Sequence, residues 1–151
     1  MYASNALNRP AEREALLQTA VKKYPTDPAG HFALIREKLA AGNVAAVDTL
    51  MKNARAAIPA TYRGRLGMAR ATYALVLDPD VPAPEARRLL TDAVAAIDEA
   101  LKLEPKSPDA LWQKSTILNL QAERETDPQR ARALRAEAER LSARAKAGGG
   151  I

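Results

Sequence analysis

Thirty consecutive residues, Thr91 to Leu120 (TDAVAAIDEALKLEPKSPDALWQKSTILNL), constrain what this 151-residue chain can fold into more than any other stretch. Ala93, Ile97 and Ala100 stand four and three apart, which sets them on one face of a helix. Pro105 stops that helix, because it has no N–H to donate and pushes the residue before it out of the helical region. A second apolar helix starts within a few residues. The unit is a helix faced with small residues, a proline stop and a new helix.

The rest of the chain follows the same grammar. Ala, Leu, Arg and Glu dominate, and β-branched and aromatic residues are few, a balance that favours helix throughout. Helices are expected over 11–24, 29–41, 44–57, 61–77 and 85–103, then from the Lys106–Asp109 cap to Arg124, and from Pro128 to Ala147. Their apolar faces are Leu16/Leu17/Ala20/Val21, Phe32/Ile35/Leu39, Val47/Leu50/Met51/Ala54/Ile58, Leu66/Ala69/Tyr73/Val76, Leu89/Leu90/Ala93/Ile97/Ala100/Leu101 and Leu134/Ala138/Leu141. Gly42-Asn43 is a helix stop able to take a left-handed cap. The prolines of Asp78–Pro84 keep that stretch from being helical throughout. The domain reading is a disordered segment over 1–10, a helical domain over 11–147 and a glycine-rich linker or tail over 148–151.

A repeat underlies these helices. Pro25 to Pro59 is 34 residues, and Pro59 to Pro105 is 46, the surplus falling at Asp78–Pro84 and in longer flanking helices. Five residues before each proline stands an alanine (Ala20, Ala54, Ala100), and three further back a large apolar residue (Leu17, Met51, Ile97). Gly42 follows Pro25 by 17 residues, and Ala69 and Ser115 each follow their proline by ten. This period, with its small residues, resembles the tetratricopeptide repeat (TPR) family.

The resemblance covers about residues 11–147 and implies an all-α fold, a TPR-like α-solenoid of about seven antiparallel helices: about three hairpins and an unpaired N-terminal helix. It also departs from the family. The usual tryptophan six residues past the proline is replaced by His31, Arg65 and Leu111, and a large apolar residue comes one later, as Phe32, Leu66 and Trp112. Those three are expected in the core, each opening an apolar stripe, with the groove as the alternative. The unpaired first helix and the glycine run point to a module cut from a longer protein.

The resemblance implies a non-catalytic scaffold that binds a peptide or helix in a concave groove. Arg36, Arg70, Tyr73, Trp112, Thr116 and Asn119 are the candidate binding residues, with Leu120 beside them. Arg36 and Arg70 stand 34 apart in equivalent places of consecutive units, where the two readings are a pair that meets an acidic side chain or C-terminal carboxylate of the partner, or two solvated face charges. Neither the family's chaperone-tail clamp of lysine and asparagine nor a catalytic motif is matched.

The remaining chemistry is sparse. Without cysteine there is no disulfide, thiolate metal site or cysteine nucleophile, and the one histidine, His31, has no second to share a metal with. His31 therefore reads as a structural residue at or partly below the surface. No phosphate loop is present, and pairs such as Asp78/Asp80 and Glu123/Glu125 read as solvated charges. No enzyme, cofactor or metal is expected. No apolar run is long enough to span a membrane, and Met1–Pro10 has no signal-peptide core. Cytoplasmic and periplasmic settings both fit.

Net charge is +5, of which residues 128–147 carry +4 through six bases and two acids. An Arg-rich last helix suggests nucleic acid as an alternative partner. Glu137 and Glu139 interrupt it, no aromatic lies within it and its arginines are not confined to one face, so a solvated capping helix is preferred. Self-association through exposed terminal helices is a third reading.

Overall fold

The computed structural model describes residues 9–149, which form seven helices and no strand. They are α1 (Pro10–Lys23), α2 (Pro28–Ala40), α3 (Val44–Ala57), α4 (Tyr62–Val76), α5 (Ala83–Leu103), α6 (Pro108–Arg124) and α7 (Pro128–Gly149). The all-α expectation is met. Most of the segment expected to be disordered, 1–10, lies outside the described residues, although Pro10 already opens α1.

Two boundaries are corrected. α5 begins at Ala83, because Pro84 sits in its first turn, where a missing N–H leaves no bond unmade. α7 runs through Gly148 and Gly149 rather than stopping at Ala147. Gly148 lies beside the turn before α6, where an added Cβ would stand 3.7 Å from the Lys106 carbonyl oxygen.

Each proline of the repeat sets the same local structure. α2, α4 and α6 all begin three residues after Pro25, Pro59 and Pro105. The residue just before each is a short polar cap: Asp27, Thr61 and Ser107 accept hydrogen bonds from the N–H groups of Ala29, Gly64 and Ala110. Between α2 and α3, Gly42 takes φ +73° with no atom within 4 Å of a Cβ built on it. Gly42→Ala is therefore expected to lower stability by about 1 kcal/mol through backbone strain alone, and Gly42→Asn by less. Thermal unfolding of the three proteins checks this order.

The helices divide into two compact units, one ending at Pro59 and the other starting at Ala60. In the first, α1 runs antiparallel to α2. Arg13 near the start of α1 pairs with Glu37 near the end of α2 at 3.1 Å, and Glu14 pairs with Lys38 at 2.7 Å. At the other end Gly30 allows close approach, since a Cβ there would lie 3.2 Å from Val21 Cγ2. α1 buries no side chain fully, and Leu16, expected on its apolar face, is 59% exposed. α2 lies between α1 and α3 and buries His31, Phe32, Leu34 and Ile35. Val47, Ala54 and Ile58 are buried as expected, while Leu50 and Met51 are half-buried.

In the second unit α4 pairs with α5 and α6 with α7. Arg65 at the start of α4 meets Glu99 near the end of α5, so this pair is antiparallel. α4 and α6 lie side by side and parallel. Tyr62 and Ser107 share a hydroxyl–hydroxyl hydrogen bond at their N-terminal ends, and Arg124 Nη2 donates to the Val76 carbonyl oxygen at 3.0 Å at their C-terminal ends. One core cluster joins Leu111 and Leu118 of α6 to Ala138, Leu141 and Ala145 of α7, with Val94, Leu101 and Leu134 against it.

The position six past each proline is buried in all three cases: His31, Arg65 and Leu111 are 3%, 6% and 3% exposed. Two polar residues thus occupy core places, His31 with a hydrogen bond to the backbone and Arg65 with an ion pair to α5. His31 Nε2 lies 2.7 Å from the Pro25 carbonyl oxygen, which can only accept, so Nε2 carries the proton. This places His31 deeper than expected and ties α2 to the preceding turn.

Arg65 Nε lies 2.8 Å from Glu99 Oε2, and Nη1 lies 2.8 Å from Met68 Sδ. Arg65→Ala is expected to cost about 2 kcal/mol, less than for a fully buried pair because Glu99 keeps contact with water. Arg65→Met, which retains the stem, recovers most of that loss. Urea midpoints of the two variants measure the difference.

Candidate functional site

The candidate residues fall on three helices. Arg36 is exposed on α2 in the first unit. Arg70 is exposed and Tyr73 half-buried on α4, and Trp112, Thr116 and Asn119 are on α6 in the second unit. In repeat position Thr116 answers to Arg70 and Asn119 to Tyr73, at eleven and fourteen residues past their prolines. Leu120 is buried at 8% exposure and is removed from the site.

Trp112 is the main correction to the core. Phe32 and Leu66 are buried as expected, but Trp112 is 52% exposed. The cause is geometric. α6 meets α7 through Leu111, Ser115 and Leu118, and Trp112 is turned about 100° from Leu111 around the helix. The core position is already filled by Leu111, so the indole stays outside.

There it borders a depression of about 330 Å³ between α6 and α7. Trp112, Ser115, Thr116 and Asn119 line one side, and Ala138, Glu139, Ser142, Ala143 and Lys146 the other. Three of the six candidate residues are brought together here, while Arg70 and Tyr73 are not part of the lining. The two helices approach closely beneath it, because Ser115 Oγ donates to the Ala138 carbonyl oxygen at 2.7 Å. Thr116 Oγ1 donates to the Trp112 carbonyl oxygen at 3.0 Å, leaving its lone pairs outward as acceptors.

Glu139, Ser142 and Lys146 were not among the expected site residues. Their signal lay in the spacing of Ala131, Leu134, Ala138, Leu141 and Ala145, which marks the buried stripe of α7 and leaves these three beside it. Which flank faces α6 is decided by tertiary packing. Several α7 bases have local partners: Arg140 pairs with Glu137, Arg130 lies 3.9 Å from Glu125, and Arg144 reaches the Pro105 carbonyl oxygen at 3.5 Å.

The depression thus offers one large aromatic face, amide and hydroxyl groups, and one charge of each sign. Among the described residues there is no group of three or more His, Asp or Glu side chains placed to hold a metal ion. No helix of the described residues is long and apolar enough to cross a membrane. No family model, curated protein or solved structure matches the chain.

Proposed function

We propose that this chain is a non-catalytic protein-interaction module built of divergent TPR-like repeats, and that it binds a peptide or helix of a partner protein at the face carrying Trp112, Thr116 and Asn119. The observation that carries the reading is the half-exposed Trp112 beside an open depression. Large aromatic side chains left on a surface without a core role are the commonest anchors of protein interfaces.

The repeat assignment is supported by the shared register. The three proline-set helix starts, the buried sixth position and the buried tenth position (Ile35, Ala69, Ser115) recur unit by unit. Parallel packing of α4 on α6 is the relation that first helices of successive repeats require.

The test is affinity capture from nuclease-treated lysate of the source organism. The wild-type chain is compared with Trp112→Ala and with the double variant Arg36→Glu/Arg70→Glu. A protein retained by the wild type and lost with Trp112→Ala supports the reading. Retention by Trp112→Ala with loss in the double variant moves the site to the arginines, and no differential capture refutes both. Loss of all capture on nuclease treatment favours nucleic acid instead.

A further inference from the structure

We infer that the second unit holds a separate oxyanion pocket between α5, α6 and α7, which binds the dianionic phosphate of a phosphate monoester. The cavity measures about 190 Å³ and is lined by Arg87, Leu90 and Thr91 of α5, Gln121 and Arg124 of α6, Glu125, and Arg130 and Leu134 of α7. Three helices each supply one guanidinium to a single cavity. None of its lining residues belongs to the depression at Trp112, so the two readings stand or fall separately.

The charge around the cavity is unbalanced. Three cations face one carboxylate, and that carboxylate already serves the chain. Glu125 Oε1 accepts the Asp127 N–H at 3.1 Å to hold the turn before α7, and Oε2 only brushes Arg130 Nε at 3.9 Å. Arg87 forms no ion pair among the described residues. Arg124 is held in place from behind by its Nη2 bond to the Val76 carbonyl oxygen, which leaves the rest of its fork free.

Gln121 adds amide donors, whereas the Thr91 proton is spent on the Arg87 carbonyl oxygen at 3.1 Å. Leu90, 1% exposed, gives the cavity an apolar wall. A surplus of two positive charges with forked donors matches a phosphate dianion better than a single carboxylate.

Calorimetric titration at about pH 7.5, above the second pKa of phosphate monoesters near 6, tests this with O-phosphoserine and glycerol 3-phosphate, and with inorganic phosphate for comparison. Ionic strength is matched with sodium chloride throughout. Saturable one-to-one binding is expected, weakened at least about tenfold by Arg87→Gln or Arg130→Gln singly and abolished by both together. Arg87 and Arg130 are exposed, so the double variant keeps its helical circular dichroism and melting temperature. Whichever ester binds most tightly identifies the source of the phosphate. Absence of saturable binding to the wild type, or equal affinity in the double variant, overturns the proposal.

Discussion

Replacing Ser115 by leucine is expected to be the most destabilising single change considered for the second unit. Ser115 is 5% exposed, and its Oγ lies 2.7 Å from a backbone oxygen of α7. A leucine there has no room, so α6 and α7 must separate and loosen the cluster of Leu111, Leu118, Leu141 and Ala145. Overpacking of this kind costs about 3 kcal/mol, which lowers the melting temperature of a unit this size by about 10 °C or more.

Ser115→Ala loses only the hydrogen bond, about 1 kcal/mol, and part of that returns through the better helix propensity of alanine. Trp112, the chain's one tryptophan, is three residues away on α6, so its fluorescence follows the transition directly. An unchanged midpoint for Ser115→Leu would mean that α6 and α7 are not in close contact in solution.

Trp112→Ala is expected to have the opposite profile, with little effect on the fold and a large effect on binding. At 52% exposure the indole adds little to the core, so truncation should change stability by less than about 1 kcal/mol. As an interface anchor it should contribute about 2 kcal/mol or more, a loss of about 30-fold in partner affinity. Trp112→Phe keeps an aromatic face and should retain most binding. Equal stability and equal capture for wild type and Trp112→Ala would show that the indole is exposed for no binding purpose, and attention would pass to Arg36 and Arg70.

Much of the fold was legible because its causes are local. Proline stops, Asp, Thr and Ser caps and the glycine at Gly42 act within a few residues, and they place the starts of α1, α2, α3, α4 and α7 within one residue of expectation and that of α6 inside its expected cap. The exception, α5, starts two residues early at Ala83 because proline is tolerated in a first turn. The site was less legible. Its α6 half follows from a 3.6-residue repeat that any reader can project, whereas its α7 half depends on which flank of that helix meets α6.

By itself the sequence determined helix positions, their caps and the buried face of α7, since each follows from spacing along one helix. It also set Ile35, Ala69 and Ser115 at a common distance of ten residues past a proline. Only tertiary structure decided that Leu16 and Trp112 remain exposed while His31 and Arg65 go inside. Burial depends on which neighbouring helix covers a face, and a polar side chain can occupy the core only where another segment supplies its partner, as Pro25 does for His31 and Glu99 for Arg65. The convergence of three arginines from α5, α6 and α7 was likewise invisible, because nothing local to any one helix brings them together.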